Sequence, residues 1–143
     1  MKRVLSKTRN GFLGAAIGVA VFAAIYEQFS HQVYSPFLIL AFLFPLLGGV
    51  LPYTLLLRRP YGRKPGTLAR CLYNSGLVTL TAGSIFQGIL EIYGTTSRLS
   101  AIYWIVGLSL CALGLTAYLA FAKSALRSTG QLSRPQPDGY RFL

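Results

Sequence analysis

The sequence contains very little acidic charge. Only three of its 143 residues are Asp or Glu, against fourteen Lys or Arg, and charged residues together make up 12%. A soluble domain of average composition carries about 25% charged residues, so an ordinary soluble domain is excluded. The hydrophobic fraction of 53% also excludes a disordered chain, because disordered segments are poor in apolar residues.

Cysteine and histidine are equally scarce, with two cysteines and one histidine in the whole chain. Two cysteines are too few for a disulfide-rich scaffold, and one histidine leaves a haem without a second histidine ligand. The sequence has no Cys-x-x-Cys-His motif, no P-loop and no dinucleotide-binding fingerprint. These absences favour a protein that is not an enzyme of the soluble type.

Long apolar runs are what the sequence does contain. A membrane-spanning helix needs about 18 or more mostly apolar residues, and four segments meet or approach this criterion: 11–29, 34–57, 71–93 and 101–122. Two of them lack the polar stripe that a soluble bundle requires. The sequence therefore predicts an all-α integral membrane protein, a four-transmembrane-helix bundle. Its membrane domain covers residues 1–123, and a mobile cytoplasmic tail covers 124–143.

The basic residues predict the orientation of this bundle. If four spans alternate, thirteen Lys and Arg lie on one side, in the N-terminal segment, the loop between spans two and three, and the tail. The other side has only Arg98. Basic loops remain cytoplasmic, so both termini are predicted inside the cell, with the protein in the inner (cytoplasmic) membrane. The charge then serves topology and contact with the lipid bilayer, and no nucleic-acid partner is expected.

The two halves of the chain resemble each other. Residues 25–29 and 89–93 both read Ile-x-Glu-x-aromatic, and both close an odd-numbered span. This pattern predicts two tandem parallel-repeat helical hairpins, related by an axis along the membrane normal as in some transporters. Coincidence between apolar segments of low complexity is the alternative.

The second span contains residues that disturb a helix. Pro45, Gly48, Gly49 and Pro52 lie within eight positions, and proline removes a helical hydrogen bond and clashes with the preceding turn. The span is therefore predicted to be kinked or locally unwound. Such breaks either line an ion or substrate site or serve helix packing alone.

Small residues at four-residue spacing predict close helix packing. Gly14-x-x-x-Gly18 and Ser84-x-x-x-Gly88 are both of the small-x-x-x-small type that lets membrane helices approach each other.

A few polar side chains near the outer boundary form the candidate site. Charged groups close to the hydrocarbon region are costly, so they pair or line a polar cavity. The predicted ligand-binding set is Glu27, His31, Gln87, Glu91 and Arg98, with Arg98 balancing charge. Two carboxylates and an imidazole also suit a divalent metal ion, so Glu27, His31 and Glu91 are the predicted metal ligands. A polar surface cluster without a ligand is the alternative.

In size and span count the chain resembles the small multidrug exporters. Those proteins carry a carboxylate in the middle of the first span, and residues 12–26 contain none, so their mechanism is not carried over. The leading hypothesis is a transporter-like protein or membrane subunit with a polar or cation site near the outer face. The alternatives are a structural or assembly subunit, and a membrane redox component that uses His31. A chain this small is expected to act as a homo-oligomer or beside a larger membrane protein.

Overall fold

The computed structural model describes residues 2–29, 34–58 and 65–132, and side chains as far as Phe121. All the regular structure in these ranges is helical. Four helices are long and apolar enough to cross a membrane: Lys2–Phe29, Pro36–Arg58, Thr67–Ile92 and Leu99–Phe121. The prediction of an all-helical membrane protein with four spans is therefore supported.

Three of the spans are single α-helices: α1 (Lys2–Phe29), α4 (Thr67–Ile92) and α5 (Leu99–Leu132). Helix α1 includes the basic N-terminal residues as well as the apolar run. Helix α5 continues beyond the apolar run to Leu132, into the segment that the sequence predicts as a mobile tail, and residues 133–143 lie outside the described ranges.

Helix α4 ends in a Schellman motif. The N–H of Gly94 donates to the carbonyl of Glu91 and that of Thr95 to the carbonyl of Leu90, each at 3.0 Å. Gly94 has a φ of 67°, a left-handed conformation that glycine adopts without the cost a Cβ would impose. This glycine turns the chain from α4 towards α5.

The second span changes helix type three times, which confirms the predicted irregularity. It runs through α2 (Pro36–Ile39), a 3-10 turn (Leu40–Phe42), a π-helical segment (Phe44–Val50) and α3 (Leu51–Arg58). Pro45 and Pro52 have no N–H to continue an α-helical ladder, so the hydrogen bonding widens between them.

The irregular segment is used for packing. A Cβ on Gly49 would lie 2.7 Å from Cβ of Phe12, and the hydroxyl of Tyr73 donates a 2.9 Å hydrogen bond to the carbonyl of Gly48. The π-helical segment therefore fits between α1 and α4. The sequence allows two interpretations of the broken helix, an ion or substrate site or helix packing alone. The described contacts favour packing.

The spans pack in serial order. Helix α1 lies on the second span, the second span on α4, and α4 on α5, whereas the backbones of α1 and α5 do not approach each other within the described chain. Neighbouring spans are antiparallel. One end of the bundle, called the basic end here, carries the start of α1, Arg58 and Arg70. The opposite end carries Glu27 and Glu91 and is called the glutamate end.

Glycines bring α4 and α5 together. A Cβ on Gly76 would lie 2.7 Å from the backbone nitrogen of Cys111 and 2.8 Å from the carbonyl oxygen of Gly107. Gly114 similarly faces the backbones of Tyr73 and Ala69. The two helix backbones are therefore in direct contact, which any larger residue at these positions would prevent.

The two small-x-x-x-small motifs, one in α1 and one in α4, differ in whether they pack against a neighbouring helix. Gly88 packs against the backbone of Leu38, and Ser84 is buried beside it. Around Gly14 and Gly18, in contrast, no atom of the described residues lies within 4 Å of the place a Cβ would occupy. The prediction of close packing holds for the motif in α4 and is wrong for the motif in α1 within this chain. The face of α1 that packs inward carries Phe12, Ala16 and Ala23 instead.

The main apolar core lies in the basic half of the bundle. Leu5, Phe12, Tyr53 and Leu77 form it, and Phe12 and Tyr53 stack with their ring centroids 6.1 Å apart. The Tyr53 hydroxyl donates a 2.7 Å hydrogen bond to Oδ1 of Asn74, so a polar contact links the second span to α4 inside this core. The proposed duplication of the two hairpins stays a prediction.

Candidate polar site at the glutamate end

Glu91 is held by a serine from the neighbouring span. It lies in the last turn of α4 and is partly buried. The Ser35 hydroxyl donates a 2.6 Å hydrogen bond to its Oε2. Ser35 is fully buried and is the residue before Pro36, where α2 begins. A carboxylate has about four acceptor positions, and Ser35 is the one donor to Glu91 among the described residues.

Glu27 approaches the same end from α1. It is partly buried, and its Oε1 is shielded from solvent. The neighbouring Tyr26 interacts through its side chain with Tyr93, which follows α4 directly. The structure therefore brings the ends of α1 and α4 that carry Glu27 and Glu91 to one end of the bundle.

Gln87 faces a different neighbour from Glu91. Its Oε1 accepts a short hydrogen bond from the hydroxyl of Ser100 at the start of α5. Ser84, one turn earlier, donates a 2.7 Å hydrogen bond to the carbonyl of Phe37. The polar side chains of α4 thus divide between two partners: Ser84 and Glu91 bond to residues at the start of the second span, and Gln87 bonds to α5.

Arg98 is exposed in the connection between α4 and α5. Among the described residues it forms no ion pair, and its predicted role of balancing the charge of the site stays a prediction. Arg98 nevertheless contributes one positive charge to the connection between α4 and α5 at this end.

His31 lies outside the described ranges, in the connection between α1 and the second span. The described residues contain no group of three His, Cys, Asp or Glu side chains placed to hold a metal ion. The metal set of Glu27, His31 and Glu91 depends on that histidine and stays a prediction.

Both cysteines are free thiols, and Cys111 is part of the α4–α5 contact.

Sequence reasoning missed Ser35 and Ser100, the two donors of this site. Both are buried, at 0% and 5% exposure. Each stands at the start of a helix on the glutamate side, Ser35 directly before a proline and Ser100 as the second residue of α5. A serine at the first turn of a membrane span, beside a carboxylate or amide on the next span, is the signal that would have found them.

Carboxylate, amide and hydroxyl oxygens all lie at the glutamate end, where α1 and α4 end and the second span and α5 begin. Carboxylate oxygens are ligands that suit hard cations such as Mg²⁺. No protein-family model, curated protein or solved structure matches the chain. Its function is therefore argued from this geometry.

Proposed function

We propose that this multi-pass membrane protein is a transporter-like protein or membrane subunit that binds a cation or a cationic group at the glutamate end. Glu91 and Glu27 supply the negative charge, Gln87 adds an amide oxygen, and His31 adds a neutral nitrogen. The proposal places this end on the outer face of the inner membrane, as the distribution of basic residues indicates.

The observation that carries the proposal is the Ser35–Glu91 hydrogen bond. A fully buried hydroxyl fixes one carboxylate oxygen at 2.6 Å, which orients the side chain before any ligand arrives. Preorganised groups lose less entropy when they bind. A carboxylate that served only to keep the surface soluble would need no such support.

Ligand-dependent thermal stability tests the proposal. The full chain in neutral detergent is heated with and without Mg²⁺, Mn²⁺, Zn²⁺ or a tetraalkylammonium ion. A ligand that binds only the folded state stabilises it by about 2.7 kcal/mol at one hundred times its Kd. We expect at least one cation to raise the melting temperature of the native protein, and Glu91→Gln or Glu27→Gln to reduce the shift.

The third acidic residue of the chain provides the matched control. Asp138 lies in the C-terminal segment outside the described ranges, and Asp138→Asn removes the same charge as the glutamate substitutions. We expect this variant to respond to cations as the native protein does. An equal response of the Glu27→Gln/Glu91→Gln double variant and the native protein would refute the proposal.

A structural or assembly subunit is the second candidate. It is favoured by the hydrogen bonds of Ser84 and Ser100, which join α4 to its two neighbours and use polar groups within the chain. In this case no cation changes the melting temperature, whereas Ser84→Ala and Ser100→Ala still lower it. The same experiment therefore separates the two candidates.

A further inference from the structure

A cavity lies at the basic end, about 30 Å along α4 from Glu91 at 1.5 Å per residue. It has a volume of about 240 Å³ and lies between α3, α4 and α5. Its walls are almost entirely apolar, with Pro52, Leu55, Leu56 and Leu115 contributing aliphatic surface. Leu55 and Leu115 are each about half exposed, at 52% and 53%, so the cavity opens on the side that faces lipid.

One cationic side chain lines this apolar cavity. Arg70 lies in the first turn of α4, and its Nε is buried without a hydrogen-bond partner among the described residues. A buried donor without an acceptor costs free energy, and a guanidinium matches a phosphate with two parallel hydrogen bonds. Arg70 therefore has an unused hydrogen-bond donor for an anion at the edge of the cavity.

Two of the tyrosines that line the cavity already use their hydroxyls in hydrogen bonds. The Tyr53 hydroxyl donates to Asn74 and the Tyr73 hydroxyl donates to the carbonyl of Gly48. Both tyrosines therefore present mainly their rings to the cavity. Arg70 is the one charged residue among the described lining residues, so the charged contact with an occupant comes from it.

The chain offers no described carboxylate to Arg70. Within the described ranges, only Glu27 and Glu91 carry one, and both lie at the opposite end of the bundle. Arg58, exposed at the end of α3, adds further positive charge on the same side. An anion that completes this site must therefore come from outside the described part of the chain.

We infer that this cavity binds an anionic phospholipid, with an acyl chain between Leu55, Leu56 and Leu115 and the phosphate on Arg70. Basic pockets between membrane helices are suited to anionic headgroups. Arg70 lies in the first turn of the candidate span Thr67–Ile92, and the ends of a span lie close to the polar headgroup region. Because pockets that enclose a drug-sized molecule measure about 300–1,000 Å³, this smaller cavity fits part of a molecule, such as one chain. The inference is independent of the cation site.

Native mass spectrometry of the full chain in neutral detergent tests the lipid site. The probes are dioleoyl-phosphatidylglycerol and dioleoyl-phosphatidylcholine, which have the same acyl chains and differ in net charge. We expect the native protein to bind the anionic lipid about fivefold more tightly, which corresponds to the ~1 kcal/mol contributed by one basic residue near anionic lipid. Equal affinity for the two lipids would overturn the proposal.

Two matched pairs of variants locate the site. Arg70→Gln should abolish the preference for the anionic lipid, whereas Arg98→Gln, at the other end, should retain it. Leu115→Trp should fill the cavity and weaken binding of both lipids. Leu119→Trp, which changes a similarly exposed residue of α5 outside the cavity, should leave the binding of both lipids unchanged. Loss of the preference in Arg98→Gln, its retention in Arg70→Gln, or unchanged affinity of Leu115→Trp for both lipids contradicts the assignment. Because Leu115→Trp leaves every charge in place, it tests the site even if Arg70→Gln fails to fold.

Inorganic phosphate distinguishes a lipid from a free anion. At millimolar concentration it should leave the bound phosphatidylglycerol in place, because the apolar cavity contributes to lipid binding. Displacement by phosphate alone would show that the site recognises the anion without the acyl chain, and would overturn the lipid assignment.

Discussion

Gly76 of α4 and Gly107 of α5 face each other so closely that a Cβ on Gly76 would lie 2.8 Å from the carbonyl oxygen of Gly107. The neighbouring backbone nitrogen of Cys111 would lie at 2.7 Å. Both obstacles are backbone atoms, which cannot rotate away as a flexible side chain would. The separation of the two helices therefore depends on the missing side chain at this position.

Gly76→Ala is expected to destabilise the protein by about 1–3 kcal/mol, the usual cost of overpacking a close-packed interior. The measurement is the free energy of unfolding in mixed detergent micelles, followed by circular dichroism. Gly14→Ala is the matched control, because the same Cβ in α1 meets no atom within 4 Å. Equal destabilisation by the two substitutions would contradict the described α4–α5 contact.

Tyr53→Phe is expected to remove the hydrogen bond to Asn74 and to keep the stack on Phe12. Interhelical hydrogen bonds in membrane proteins contribute about 0.6 kcal/mol on average and ~1.7 kcal/mol at most. A double-mutant cycle with Asn74→Ala measures the coupling energy directly. A coupling energy of zero would mean that the two side chains do not interact in the folded protein.

Ser35→Ala is expected to lower the melting temperature, because it removes the donor to a carboxylate and leaves Glu91 partly desolvated. A hydrogen bond to a charged group contributes about 1.5–3 kcal/mol. Ser109→Ala, at an exposed position of α5, should have little effect. In the Glu91→Gln background the Ser35 substitution should cost less, and full additivity of the two changes would argue against their contact.

Reporter fusions test the orientation. A fusion at Ser97, in the connection between α4 and α5, should report the outer side of the membrane, and a fusion after Leu143 the cytoplasmic side. A third fusion at Pro65, before α4, should agree with the one after Leu143. Matching signals from Ser97 and Leu143 would contradict four alternating spans.

The spans could be predicted from the sequence because length and apolar content determine whether a helix can cross a bilayer. The irregular second span was predictable for a similar reason, since Pro45 and Pro52 act on their own backbone. Packing partners were not predictable in this way. Gly14-x-x-x-Gly18 and Ser84-x-x-x-Gly88 have the same local pattern, yet only the second is in contact with a neighbour.

The candidate site was also predictable only in part: its polar residues could be named from the sequence, but their partners could not. The sequence put Gln87 and Glu91 in one predicted ligand-binding set. It did not predict that Glu91 bonds to Ser35 and Gln87 to Ser100. Those partners come from other spans, and helical periodicity describes only the helix to which it is applied.

Because the spans pack in serial order, a span in the middle of the chain is fully packed only after the next span has been made. The π-helical segment of the second span contacts both α1 and α4, so its packing is incomplete until α4 has entered the bilayer. Helix α5 packs on α4, its immediate predecessor, so α4 in turn is fully packed only when α5 is in place. The second span, with its π-helical segment, therefore reaches its final packing only after the next span has been made.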